Sequence, residues 1–197
     1  MNRFIFSIDT KIPEELVNLI HTSFINSPEP WNDPMVQDPK DGEYKKLDSI
    51  RNSTHKWIAD DRWECGYVWY YLHKLNLQYY GYQIHAFDSR QVQYTRYEEG
   101  QFFNWHVDEG RGTVDPLTLQ RNQNLRKLSF SLQLSNSDDY EGGDLVFQDF
   151  ATGEETSATR ERGSLIVFDS RVRHKVTPVT KGTRYALVGW LVGDPWT

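Results

Sequence analysis

The sequence predicts a mainly β fold, a sandwich or jelly roll, with two helices packed on the outside of one sheet. After Gly81, short segments rich in Val, Ile, Phe and Tyr alternate with turn residues. One of them, LSFSLQLS at 128–135, alternates apolar and polar residues without interruption. Eight or so strands at this spacing, with Gly-Gly at 142–143, are typical of such all-β architectures.

Both predicted helices lie in the first eighty residues. Residues 13–24 begin with a proline and two glutamates, which suit the first turn of a helix, and continue with apolar residues at helical spacing. Residues 63–77 show a similar spacing of apolar residues. Between the helices, residues 27–49 carry four prolines and few aliphatic side chains, which predicts a surface loop or an ordered flap.

The predicted strands follow one another without an internal repeat or a linker. The polar, glycine-bearing segment 109–125 lies among them and is expected to form a mobile lid. We therefore expect one domain over residues 1–197, in which residues 1–80 support a jelly-roll core at 81–197. The strands are predicted at 83–87, 91–97, 101–108, 127–135, 143–148, 163–168, 173–178 and 184–192.

Composition narrows the possible functions. The net charge of −6 argues against a surface that binds nucleic-acid phosphates. The single cysteine, Cys65, excludes an internal disulfide and a thiolate metal cluster. Because the first residues contain no long apolar run, we expect neither a signal peptide nor a membrane span, and a cytoplasmic protein by default.

The stretch FFNWHVD at 102–108 places a histidine and an aspartate in apolar surroundings. Residues two apart share a face of a strand, so the side chains of His106 and Asp108 should point to one place. They can hydrogen-bond to each other or hold a metal, and H-x-D by itself is weak evidence. His174, 66 residues after Asp108, is the candidate third ligand. Two imidazoles and one carboxylate form the facial triad of non-haem Fe(II) oxygenases.

Arg184 and Tyr97 are candidates for binding a ligand. Arg184 enters an apolar strand, where an unpaired cation is costly. It can form a salt bridge with a protein carboxylate, or it can clamp the carboxylate of a ligand through two hydrogen bonds. Tyr97, nine residues before His106, can add a phenolic hydrogen bond in the same pocket or pack as a core or cross-strand tyrosine.

Three blocks of this chain occur in a characteristic order. They are YEEGQFFNWHVD at 97–108, YEGGDL at 140–145 and HKVTPVTKGTR at 174–184. Together they resemble the motifs of the prolyl-4-hydroxylase-like 2-oxoglutarate/Fe(II) dioxygenases, especially the PKHD-type bacterial branch, over about residues 91–192. The resemblance implies a double-stranded β-helix, which is the cupin-like form of the jelly roll.

The resemblance also implies a dioxygenase that uses Fe(II), 2-oxoglutarate and O₂, with ascorbate as reductant. The iron would be held by His106, Asp108 and His174. The implied reaction hydroxylates an unactivated C–H bond, expected in a peptidyl prolyl residue, and releases succinate and CO₂. Two alternatives stay open: a hydroxylase of a free amino acid or other small molecule, and a cupin-type metalloprotein that does not use 2-oxoglutarate.

For the co-substrate, the resemblance implies that Arg184 binds the distal carboxylate of 2-oxoglutarate, with Tyr97 as a helper. Ser131 and Gln133, on the polar face of their strand, are expected to line the same pocket. Members that demethylate nucleic acids typically have a second arginine six residues after the first, where this chain has Trp190. We therefore expect a peptide, protein or small-molecule substrate and not a nucleic acid.

Overall fold

The computed structural model describes residues 5–9, 12–37, 40, 43–109 and 125–196. The lid expected at 109–125 therefore lies almost wholly outside the described residues. The helices are α1 (Glu14–Ile25) and α2 (Trp63–Leu75), and a π-helical turn at Asn76–Tyr80 follows α2. The strands are β1 (Ile5–Asp9), β2 (Val36–Gln37), β3 (Tyr44–Lys45), β4 (Arg51–Asn52), β5 (Thr54–Ala59), β6 (Ala86–Phe87), β7 (Gln91–Tyr97), β8 (Phe102–His106), β9 (Leu125–Gln133), β10 (Tyr140–Gly142), β11 (Leu145–Gln148), β12 (Glu155–Ser157), β13 (Ser164–Asp169), β14 (Arg173–Val176), β15 (Val179–Gly182) and β16 (Arg184–Gly193).

Most of these strands form two antiparallel sheets. The larger sheet has the order β1-β13-β9-β16-β7-β5, with β6 also paired to β16, and the smaller has the order β12-β11-β14-β8-β4. From β7 to β16 the chain passes repeatedly from one sheet to the other, as in a jelly roll. Side chains of both sheets meet in a buried cluster that includes Ile166 and Phe168 of the larger sheet and Leu145 and Phe147 of the smaller.

Both helices pack on the outer face of the larger sheet, as the sequence predicts. The alternation of 128–135 explains this arrangement, because its leucines and Phe130 join the core cluster that contains the buried residues of α1 and α2. Ser131 and Gln133 project from the opposite face, toward the space between the sheets. Neither α1 nor α2, nor any other helix of the described residues, has the length and apolarity to cross a membrane.

Strand β5 was not predicted, although it pairs with β7 along its whole length. Its sequence, THKWIA, shows no clear alternation of apolar and polar residues, and the structure buries the charged Lys56. The ammonium of Lys56 donates hydrogen bonds of 2.9 Å to the carbonyls of Ile25 and Ser27, at the C-terminal end of α1. A cation is favourable there because the last carbonyls of a helix lack partners. The larger sheet thus takes a strand from the region expected to be helices and loop.

The glycines of YEGGDL allow two chain segments to approach closely. Gly142 has φ +69°, and a Cβ atom at this position would lie 2.2 Å from the carbonyl oxygen of Pro178. Only glycine fits, because any side chain would collide with the backbone that precedes β15. This contact joins β10 to β15 and sets the start of β11, the neighbour of β14.

Substituting Gly142 by alanine should lower the free energy of unfolding by about 2–3 kcal/mol, since two backbone segments must separate. Gly153 is the matched control, because it has φ +73° but open space around its Cα atom. Gly153→Ala should cost only the left-handed conformation, about 1 kcal/mol. Urea denaturation measures both variants, and equal losses would contradict the steric explanation.

Candidate metal centre and ligand pocket

Three predicted ligands, His106, Asp108 and His174, converge between the sheets. Strands β8 and β14 are neighbours, and His106 lies directly opposite His174 in their register. Oδ1 of Asp108 is 3.6 Å from Nε2 of His106, and its Oδ2 is 3.4 Å from Nε2 of His174. Each residue offers one ligand atom within 4.8 Å of the others, which is close enough for all three to contact one ion.

Asp108 reaches this cluster from a loop, whereas the sequence predicts a strand through residue 108. Strand β8 ends at His106. The backbone N–H groups of Asp108 and Glu109 then both donate to the carbonyl of Ser170, at 2.9 Å each. Ser170 lies in the turn between β13 and β14. The two side chains therefore converge because of a contact with a distant turn, and not because of the two-residue period of a strand.

Backbone carbonyls orient both imidazoles. Nδ1 of His106 is 2.7 Å from the carbonyl oxygen of Asn104, and Nδ1 of His174 is 2.9 Å from that of Val172. Since a carbonyl only accepts, each Nδ1 must carry the proton in these contacts. In the neutral form of each imidazole, Nε2 then presents a lone pair on the side that faces Asp108, which is the tautomer that metal coordination through Nε2 requires.

Burial and neighbouring charges set the protonation states. Desolvation, followed by the charge of His174, lowers the pKa of His106 to about 3, so its imidazole is neutral at neutral pH. Burial alone would raise the pKa of Asp108, but the adjacent His174 and His106 outweigh it and hold this pKa below its ordinary value. Two imidazole nitrogens beside an ionised carboxylate, with no thiolate, fit Fe(II).

Arg184 is buried, with 2% of its surface exposed. Its Nη2 donates to Oε1 of Gln133 at 3.1 Å, and its guanidinium carbon lies 5.6 Å from the centroid of the Tyr97 ring. Among the described residues, no carboxylate forms an ion pair with it. The geometry therefore favours an anionic ligand over a protein salt bridge, because an uncompensated buried charge is unfavourable.

One cavity, of about 470 Å³ including its open mouth, connects the metal cluster with Arg184. Tyr97 and Ser131 line this cavity, whereas Gln133, which was also expected to line it, does not and instead accepts a hydrogen bond from Arg184 behind the wall. A buried polar atom without a hydrogen-bond partner in the protein can be satisfied by a bound ligand, an ion or water. Three such atoms belong to residues in this cavity wall: Oγ1 of Thr95, Oγ of Ser131 and Nε1 of Trp190.

Arg51 also lines this cavity, and sequence reasoning missed it. It is 6% exposed and donates to Oγ of Ser53 at 2.9 Å and to Oε1 of Gln93 at 3.1 Å. Both of these partners are neutral. Burial lowers the pKa of Arg51, although the neighbouring Tyr97 and Asp108 act in the opposite direction. Arg51 lies in the two-residue strand β4, whose pairing with β8 sets it opposite Phe103, and no local sequence pattern marks so short a strand.

Comparison with known sequences identifies the family of this chain. The family model described as the 2OG-Fe(II) oxygenase superfamily matches residues 92–192. The chain is similar to a PKHD-type hydroxylase of Idiomarina loihiensis, with 36% identity over 100 residues that cover 51% of this chain and 41% of that protein. A PKHD-type hydroxylase of Synechococcus sp. strain JA-3-3Ab is 39% identical over 103 residues, covering 50% and 42%. The match thus spans about two fifths of the length of these curated relatives.

Solved structures agree on the fold. The crystal structure of a Pseudomonas putida prolyl-4-hydroxylase matches with a TM-score of 0.70 and 22% identity, covering 98% of this chain and 95% of that chain. The viral collagen prolyl hydroxylase from Paramecium Bursaria Chlorella virus-1 matches with a TM-score of 0.67 and 17% identity, covering 98% and 97%. The predicted jelly roll is therefore confirmed. Since the family model covers half of the sequence, the chain belongs to the 2OG-Fe(II) oxygenase superfamily.

Proposed function

We propose that this protein is a non-haem Fe(II)- and 2-oxoglutarate-dependent dioxygenase that hydroxylates a peptidyl prolyl residue and releases succinate and CO₂. One observation carries the proposal: a cluster of two histidines and one aspartate shares a cavity with Arg184, a buried cation that has no carboxylate partner among the described residues. The cluster suits Fe(II) with open coordination positions, and the arginine suits the far carboxylate of a dicarboxylate.

His106, Asp108 and His174 are the residues that would hold the metal. When bound, Fe(II) and 2-oxoglutarate supply the oxidising chemistry that the side chains of this site lack. Asp108 contributes one negative charge, and an imidazole that coordinates a metal contributes none. A divalent ion in this cluster would therefore keep a net positive charge, which favours a negatively charged co-substrate.

We assign Arg184 to the distal carboxylate of 2-oxoglutarate. A guanidinium offers two parallel N–H donors to a carboxylate, and the hydrogen bond to Gln133 fixes the plane of this one. Tyr97 packs beside it, and the unpartnered hydroxyl of Ser131 is available to donate to the same ligand. Because these side chains are all buried, water competes little with the ion pair.

A prolyl substrate is favoured by the similar proteins. The curated relatives are named PKHD-type hydroxylases, and the similar structures include a prolyl hydroxylase from Trichoplax adhaerens in complex with a hypoxia inducible factor peptide fragment. The cavity wall of this chain also contains the apolar side chains of Phe103, Leu145 and Val176. Such a wall suits an uncharged, saturated ring.

A second candidate is the hydroxylation of a free amino acid or another small acid, and Arg51 favours it. Among the described residues, this second buried cation of the cavity also lacks a carboxylate partner. One molecule of 2-oxoglutarate needs only one arginine at its distal end. Arg51 would then bind the carboxylate of the substrate itself.

Succinate formation from 2-oxoglutarate tests the proposal and separates the two candidates. Protein with Fe(II), ascorbate and O₂ is incubated with proline-containing peptides or with free amino acids, and hydroxylated products are identified by mass spectrometry. A peptide that increases succinate, with inhibition by N-oxalylglycine, is the expected result. Turnover of a free amino acid would support the second candidate. Failure of the metal-loaded protein to bind 2-oxoglutarate would contradict both.

A further inference from the structure

Trp196 lies three residues after the end of β16 and contacts the segment that carries Asp108. Its indole Nε1 donates a hydrogen bond of 2.6 Å to Oε1 of Glu109. Glu109 directly follows Asp108 in the sequence. Neither the sequence motifs nor the proposed function assigns a role to this contact.

The indole ring of Trp196 is held from several sides. Nζ of Lys127 lies 3.3 Å from a ring centroid, and the guanidinium carbon of Arg171 lies 3.9 Å from one. The ring of Tyr82 packs edge-to-face at 4.9 Å. Lys127 is 4% exposed, and its ammonium packs against the indole ring, a favourable cation–π contact. The position of Trp196 is therefore well defined.

This cluster is tied to the turn between β13 and β14. Arg171 forms hydrogen bonds of 2.9 and 2.6 Å with the two carboxylate oxygens of Asp169. The hydroxyl of Tyr82 donates to the same carboxylate at 2.6 Å. The turn and the ring of Trp196 are thus held by the same two side chains, Arg171 and Tyr82.

Ser170, in the same turn, holds the backbone of the metal ligand. Its carbonyl accepts the N–H groups of both Asp108 and Glu109. Asp108 lies beyond the last residue of β8, so these two hydrogen bonds to one acceptor hold its backbone where no strand ladder does. The bond from Trp196 to Glu109 adds a second, separate anchor to the same segment.

We propose that Trp196 is a positioning residue of the metal centre, which fixes Glu109 and, through the backbone, keeps the Asp108 carboxylate against the two imidazoles. This inference rests on the proposed metal site. It assigns the segment after β16 to the assembly of that site. Loss of the hydrogen bond between Trp196 and Glu109 should weaken metal binding, since a misplaced Asp108 carboxylate is a poorer ligand.

The test measures binding of Co(II), a stable substitute for Fe(II), to the full chain by calorimetry and visible absorption. Trp196→Phe keeps an aromatic ring but loses the N–H donor, and Glu109→Ala loses the acceptor. Each should weaken Co(II) binding by about 5–10-fold, somewhat less than loss of a direct partner of a ligand. Glu109→Gln retains an acceptor oxygen and should stay within about twofold of the wild type.

Two further variants serve as a control and as a test of additivity. Trp63→Phe is the matched control, because Trp63 is 50% exposed on α2, and it should leave Co(II) binding unchanged. The double variant Trp196→Phe/Glu109→Ala should bind Co(II) as weakly as either single variant, since both remove one interaction. The absorption spectrum of bound Co(II) should change in Trp196→Phe, because the carboxylate ligand shifts.

A purely structural role for Trp196 has a different signature. It would lower the unfolding temperature of the metal-free protein while the affinity and spectrum of Co(II) stay those of the wild type, and this result would overturn the inference alone. If the wild type itself failed to bind Co(II), the metal site and the inference would both be wrong.

Discussion

Substituting His174 by alanine is expected to abolish succinate formation and to weaken Co(II) binding by more than about 100-fold, beyond what loss of an outer partner costs. The substitution removes one of three ligands and leaves Asp108 with a single imidazole neighbour, His106. It also opens the buried centre to water. Succinate is measured by mass spectrometry and Co(II) affinity by calorimetry.

His85→Ala is the matched control for this prediction. His85 is partly exposed and pairs with Asp194 at 3.1 Å, and it does not line the cavity. Both activity and Co(II) affinity should be retained in this variant. Tight Co(II) binding by His174→Ala would show that His174 is not a ligand, and the metal centre would have to be placed elsewhere.

Arg184→Met is expected to weaken 2-oxoglutarate binding to the Co(II)-loaded protein by about 100-fold or more, as for the loss of one partner of a buried charge pair. Co(II) binding itself should be unchanged, because Arg184 does not contact the metal cluster. In the absence of ligand, the free energy of unfolding should be equal or higher. Binding is thus expected to weaken while stability does not fall, because the substitution removes a buried cation that has no carboxylate partner among the described residues.

Calorimetry with 2-oxoglutarate and urea denaturation without it measure the two effects. Arg184→Lys should bind 2-oxoglutarate with intermediate affinity, since lysine keeps the charge but not the paired donors. Arg90→Met, at a largely exposed arginine paired with Asp60, is the control and should leave 2-oxoglutarate binding intact. A ligand-free Arg184→Met protein that is several kcal/mol less stable would instead make Arg184 a structural residue.

The alternating segment at 128–135 shows how much of the fold could be predicted. Alternation with a period of two decides which side chains face the helices and which face the space between the sheets. Of the two polar residues that this alternation turns toward that space, Ser131 lines the cavity and Gln133 does not. Strand β5 could not be predicted, because Lys56 is buried only through its hydrogen bonds to the end of α1.

Some residues of the candidate site could likewise be predicted from the sequence, and others could not. His106, Asp108, His174 and Arg184 belong to short motifs whose residue types and spacing are visible in one dimension. Their roles stay predictions, although the structure brings all four to one cavity. Arg51 lies outside the three sequence motifs, and only the pairing of strands places it there.

By itself, the sequence determined the fold class, the faces of the main strands and the kinds of atom available to a metal and an anion. These features depend on local periodicity and on residue chemistry. Only the tertiary structure decided that Asp108 is held by the carbonyl of Ser170, that Trp196 contacts Glu109, and that Arg184 has no carboxylate partner among the described residues. Each of these depends on groups far apart in the chain, whose proximity is set by packing and is not written in any local pattern.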